Sequence, residues 1–202
     1  KYYVRIWSNS SLPQAIDFGL CIGMALPPIA TSATEFTYQQ LVEDLLLKTK
    51  CVSVTNVKGS TGINFGSVPG IGSFDGSLSD FPFRNGVILS SGSVLDAPGP
   101  KYGVQFAGNG SNWVGDAELD KIIYDATSNE IKSQNASVLE FDFVPFTSKM
   151  SFNFLFASEE YGDFQCSFGD AFAFILTDLT VQGPAINLAV VPSGDPISVL
   201  TI

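Results

Sequence analysis

Histidine is absent from this 202-residue sequence. That absence excludes Ser-His-Asp and Cys-His catalysis, HExxH zinc sites and every His-ligated metal centre. Cysteine is scarce: Cys21, Cys51 and Cys166 are widely spaced and form no CxxC pair, so a zinc site built on cysteine alone is disfavoured too. Basic residues are few, ten Lys and Arg against twenty Asp and Glu, which leaves a net charge of −10 and a pI of about 4.2. Nucleic acid is gripped by clustered Lys and Arg, so no nucleic-acid partner is expected and divalent cations fit better. Long apolar runs are also missing. The longest, around Ala185–Val191, falls far short of the roughly 18 residues of a spanning helix, and no membrane insertion is expected. Lys1–Arg5 lacks the basic-then-apolar layout of a signal peptide and already reads as strand, so the chain is expected to be an internal piece of a longer polypeptide.

What is present is material for a core. Hydrophobic residues make up 45% of the chain and include 17 Phe, so the chain is not disordered, and its length suits one full domain or one domain with a piece of a neighbour. Residues 1–26 read as the last strands of a preceding β-sandwich module, with Tyr2–Trp7 and Phe18–Met24 joined by the turn Ser8–Pro13. Residues 27–33 read as a linker, opened by Pro27 and Pro28, which have no amide to give a ladder. A helix is predicted over Tyr38–Lys48: Thr37 and Gln40 form a capping box, and Leu41, Leu45 and Leu46 form an apolar stripe. Short strands then recur, separated by Gly-rich turns: Cys51–Val57, Ile71–Phe74, Val87–Ser90, Val138–Val144, Ser151–Ala157, Ala171–Leu176, Asn187–Val191 and Ile197–Ile202. This pattern predicts a mostly β chain, an antiparallel β-sandwich or jelly roll with one N-terminal amphipathic helix and a short second helix.

The stretch Ser151–Leu176 organises the rest. Met150, Phe152, Phe154 and Phe156 alternate with smaller or polar residues, the period of a half-buried strand, and Ala171–Leu176 is apolar almost throughout. Between the two runs lie Glu159, Glu160, Asp163, Cys166 and Asp170. Adjacent side chains on a strand point to opposite faces, so one of Glu159 and Glu160 is expected to turn inward, where a carboxylate needs an ion or a base. Calcium takes six to eight oxygens and suits such a chain. Asp116, Glu118 and Asp120 are spaced like half an EF-hand loop, but Lys121 and Thr127 stand where the invariant Gly and Glu belong. Asp116 reads equally as the cap of a short helix, Ala117–Tyr124, or as a calcium ligand together with Asp120.

Three other features are weighed here. Glu140 and Asp142 share one strand face, as in some two-carboxylate glycosidases, although Pro145 and Phe146 follow where a third acid would be needed, so a polar outer face is the better reading. Trp113 and Tyr102 are the aromatics that a carbohydrate-binding module would use, unless Trp113 merely packs. Cys51 and Cys166, if paired, close a long loop and imply export; the alternative is three reduced thiols. Asn9, Asn109 and Asn135 open sequons that matter only where the host glycosylates asparagine.

Taken in order, Gly115-Asp-Ala-Glu-Leu-Asp120, Val138-Leu-Glu-Phe-Asp-Phe-Val-Pro145, Phe154-Leu-Phe-Ala-Ser-Glu-Glu-Tyr161, Cys166-Ser and Gly169-Asp-Ala-Phe-Ala-Phe174 closely resemble the choice-of-anchor L domain. Gly86-Val-Ile-Leu-Ser-Ser-Gly92, the upstream helix and the strand from Cys51 are similar too, so the resemblance spans residues 34–202. It implies a module of a large exported bacterial protein that ends in a variable surface anchor, often one of type IX secretion in gliding bacteria. It also implies an adhesin-like role, no catalytic residues, and a domain that continues past Ile202. The expectation is therefore a non-enzymatic extracellular or cell-surface module stabilised by a Cys51–Cys166 disulfide. Calcium is expected at Asp116, Asp120, Glu159, Glu160 and Asp170. Its partners would be other domains of the same long chain, surface glycans or other surface proteins. A carbohydrate-binding module of an exported degradative enzyme is the alternative.

Overall fold

A computed structural model describes residues 28–49, 52–62, 70–98, 113–128, 130, 132–162 and 169–202. In chain order the elements are β1 (Ala30–Ser32), helix α1 (Tyr38–Gln40, continued as a π-helix over Leu41–Leu46), β2 (Ser53–Ser60), β3 (Ile71–Asp75), β4 (Asn85–Leu89), α2 (Ala117–Thr127), β5 (Val138–Val144), β6 (Ala171–Phe172), β7 (Ile175–Leu176), β8 (Ile186–Asn187) and β9 (Ile197–Ser198). All strand pairings are antiparallel: β1-β3-β4 in one sheet, then the pairs β2-β5, β6-β9 and β7-β8. The fold class is the one the strand-and-turn pattern predicts, mostly antiparallel β with two short helices in a sandwich-like arrangement. Among the described residues no sheet closes into a barrel. The preceding-module strands read in residues 1–26 lie outside the described residues. Ala30–Ser32, inside the stretch read as linker, pairs with β3 instead.

Helix α1 starts where the capping box places it: Gln40 N–H donates to Thr37 Oγ1 at 3.3 Å and Thr37 N–H to Gln40 Oε1 at 2.9 Å. Its register then departs from the sequence expectation. Leu47 N–H reaches back five residues to Val42 O at 2.9 Å, and the wider π turn rotates the buried face. Leu41 and Val42 are fully buried while Leu46, expected in the apolar stripe, is part-exposed. Lys48, with φ of 53°, ends the run, and its ammonium donates to Asn85 Oδ1 at 2.8 Å, tying the helix end to β4.

In the first sheet β3 is central and its Ile71, Gly72 and Ser73 are all buried. The second ladder runs from Ser53 opposite Val144 to Ser60 opposite Val138, with a register shift between Thr55 and Lys58. Asn56 sits in that bulge with φ of 55° and donates to Asp142 Oδ2 at 2.6 Å, while Lys58 pairs opposite Glu140. A chain of hydroxyls then joins the two ladders end to end. Gly70 N–H donates to Thr61 Oγ1 at 3.0 Å, Thr61 Oγ1 lies 3.2 Å from Ser137 Oγ, and Ser137 Oγ donates to Ser90 O at 2.6 Å. Ser90 N–H closes the circuit on Gly70 O at 2.7 Å.

The segment Ser151–Ala157, expected as a strand, joins no ladder among the described residues. Its side chains hold it instead: Phe152 stacks on Phe174 at 4.1 Å between ring centroids and Phe154 lies 5.2 Å from Phe172. The expected strand Ala171–Leu176 is split into β6 and β7. The physical reason is Asn187, whose side-chain oxygen takes the Phe174 N–H at 3.1 Å and the Ala189 N–H at 3.0 Å in place of main-chain partners.

At Gly70 a methyl group would sit 2.1 Å from Ser137 Oγ and 2.3 Å from Ser90 O. The carbonyl belongs to the main chain and cannot swing away. Gly70→Ala is therefore expected to destabilise the domain by about 1–3 kcal/mol, the usual cost of overpacking, read as a lower midpoint in urea unfolding; an unchanged midpoint would show that the two ladders do not meet there.

Candidate functional site

The five acids expected to hold calcium divide into two groups with different partners. The first lies around α2. Asp116 is its N-cap, accepting the Leu119 N–H at 2.9 Å, so the helix-cap reading holds and the helix runs on to Thr127. Asp120 Oδ1 accepts the Ser133 N–H at 2.7 Å, and Ser133 Oγ donates to Asp116 O at 3.3 Å. These bonds close the excursion from Val114 out to α2 and back to Gln134, which bridge each other. Asp116 and Asp120 thus serve a turn, with one oxygen of each carboxylate engaged.

Trp113 belongs to the same turn. Its N–H donates to Asn135 Oδ1 at 2.8 Å and its indole Nε1 to Ala136 O at 2.9 Å, and the residue is 8% exposed. Gly62 lies so close that an added Cβ would be 2.1 Å from Trp113 Cγ. A ring packed this way presents no face on which a sugar could stack, so the packing reading replaces the ligand-binding one, because the indole N–H finds its acceptor inside the fold. Asn135, the acceptor of a sequon, is buried with φ of 57°. Tyr102, Cys21, Cys51, Cys166 and Asp163 lie outside the described residues, and so does the expected disulfide.

The second group forms at the end of the Phe-rich segment. Stacking of Phe152 and Phe154 on the β6–β7 stretch brings residue 158 beside residue 170, just before β6 begins. Ser158 Oγ bonds Asp170 Oδ2 at 2.9 Å and also contacts Glu160 Oε2, while Glu160 N–H donates to Ser158 Oγ at 3.2 Å. The Glu160 side chain lies close enough to act on the Asp170 carboxyl. A serine hydroxyl carries one proton and cannot donate to both acids at once. A further proton or a cation would lower the negative charge gathered there. Burial, above all, pushes the Asp170 carboxyl up to about 6, the Glu160 bond and charge and the Glu159 charge adding to the rise and Ser158 opposing it. Sequence reasoning named both acids and missed Ser158. Its even position, in phase with Glu160 and Phe156, was the signal available.

On the β2–β5 ladder Asp142 accepts from Asn56 and Glu140 stands opposite Lys58, as described. Among the described residues no group of three or more Asp, Glu, Cys or His side chains is arranged to hold a metal ion, and no helix is long and apolar enough to cross a membrane. A family model described as the choice-of-anchor L domain matches residues 30–202. The chain belongs to the choice-of-anchor L domain family. No curated protein and no solved structure matches it. A choice-of-anchor L domain is a surface-associated module of an exported bacterial protein, and that is the coarse function of this chain.

The Asp170 shift sets a pH dependence. A carboxyl whose folded pKa is raised from 3.8 to about 6 holds its proton more tightly in the folded state. Its contribution therefore favours folding at low pH and is lost as pH rises between those values. With chelator present, Asp170→Asn is expected to remove this loss and to melt above the wild type at pH 7.5 but not at pH 4. A wild-type-minus-variant difference that stays flat across that interval contradicts the assignment.

Proposed function

We propose that this choice-of-anchor L domain is a non-catalytic module for adhesion or surface assembly in a large exported bacterial protein. We also propose that a calcium ion at Glu160 and Asp170 stabilises it, with Ser158 beside them and the Glu159 charge nearby. The observation that carries the reading is the pair of carboxylates drawn onto one hydroxyl in a partly buried place. Calcium accepts carboxylate and hydroxyl oxygens together, completes its shell with water and main-chain carbonyls, and offsets the burial and the neighbouring charges that raise Asp170. The net charge of −10 supports a cation partner outside the cell, where calcium is abundant. Asp116 and Asp120 are left out of this set, since each already satisfies a main-chain amide of the α2 turn. A carbohydrate-binding role would need an exposed aromatic face that Trp113 does not offer.

Melting of the full chain at pH 7.5 in calcium and in chelator tests this reading. At a calcium concentration about a hundredfold above Kd the midpoint is expected to rise by about 5–10 °C, and Glu160→Gln or Asp170→Asn to abolish the rise. Equal midpoints in calcium and chelator would remove the metal from the proposal.

A further inference from the structure

We propose that Met150 is an oxidative modification site: in the folded domain its thioether takes an oxygen atom from a peroxide, and the resulting sulfoxide loosens the hold on the Phe-rich segment. Met150 lies in an open apolar cavity that it lines together with Leu47 at the end of the helix, Phe141 and Phe143 of β5, Phe152, and Phe174 between β6 and β7. It is also 42% exposed. The side chain is held in place from both directions, since Thr147 Oγ1 donates to Lys149 O at 2.8 Å just before it and Phe152 stacks on Phe174 just after it. Both halves of this placement matter. A methionine buried outright is shielded from an oxidant, and one exposed outright is oxidised without consequence. At Met150 the reagent has access and the product has neighbours.

The co-reactant is hydrogen peroxide or an organic hydroperoxide, small enough to reach a surface module. A sulfur lone pair attacks one peroxide oxygen, and an S–O bond forms as the O–O bond breaks. The proton on the transferred oxygen passes to the leaving hydroxide, which departs as water. Sulfur is oxidised by two electrons and the peroxide is reduced by two. The product carries a strongly polar oxygen where the thioether had none. Apart from Ser151 the lining side chains are apolar, so that oxygen lacks hydrogen-bond partners unless it turns to water. Turning to water withdraws Met150 from the cavity and uncovers the rings. Phe152 opens the stretch whose stacking brings Ser158 to Asp170, so the loosening runs toward that group. The inference needs no calcium and goes beyond the adhesion reading.

Treatment of the full chain with hydrogen peroxide in chelator, followed by peptide mass mapping and melting, tests it. Met150 is expected to gain about 16 Da in the folded chain, at a rate within about tenfold of the free amino acid. The melting midpoint should fall by about 3–8 °C. Reductases for both methionine sulfoxide epimers, which leave oxidised thiols alone, should restore it. Met150→Leu keeps the side-chain volume and is expected to lose this fall; the other methionine, Met24, lies outside the described residues and remains in the variant as a control. Met150 left unmodified in the folded chain, a midpoint unmoved by its oxidation, or an equal fall in Met150→Leu overturns the proposal. If Met150→Leu fails to fold, the wild type decides. Hydrogen exchange at amides 151–158 should then rise with the fraction of Met150 oxidised and return on reduction, and exchange indifferent to that fraction sinks the site.

Discussion

Two β-ladders meet in this domain at a point with no room for a side chain. Gly70 N–H and O, the hydroxyls of Thr61 and Ser137 and the main chain of Ser90 form one closed circuit. Each member sits just beyond the end of a strand: Thr61 after β2, Gly70 before β3, Ser90 after β4, Ser137 before β5. Because both ladders start from this circuit, the direction in which β5 leaves it sets the course of the chain that follows. Trp113 packs next to it on Gly62 and hands its bonds to Asn135 and Ala136, immediately before Ser137. Small residues and hydroxyls, not bulk, hold the two sheets in relation.

The acidic group at Ser158 depends on a different kind of contact. Aromatic stacking, worth about 0.5–1.5 kcal/mol for each pair beyond its burial, holds the Phe152–Phe154 stretch against the β6–β7 segment, and among the described residues that stretch joins no ladder. That contact draws Glu160 toward Asp170 although their charges oppose it. The raised Asp170 carboxyl reflects burial first and the nearby Glu160 and Glu159 charges second, and a proton or a cation relieves both. The acids at α2 have other partners: Asp116 and Asp120 each accept a main-chain N–H.

Much of the fold was legible in the residues. The Thr37–Gln40 box marked the start of α1, Asp116 marked the cap of α2, and alternation placed β5 and β3 within a residue or two. Less legible was whatever depended on a partner far along the chain. The π turn that moved Leu46 outward and the Asn187 side chain that divides Ala171–Leu176 leave no mark in local periodicity. The site was half legible: the parity of positions 158 and 160 could be counted, whereas the two-group division of the five acids could not.

By itself the sequence determined the class of this protein: acidic, without histidine, rich in short alternating strands, and bearing the ordered motifs of the choice-of-anchor L family. Those properties follow from composition and short-range spacing, which act wherever the chain goes. Only the tertiary structure decided which acids meet, that Trp113 turns inward, and that a hydroxyl stands between Glu160 and Asp170. Such outcomes hang on contacts between residues distant in sequence, as between Thr61 and Ser137 or Phe152 and Phe174, and their energies exist only once the chain has closed on itself.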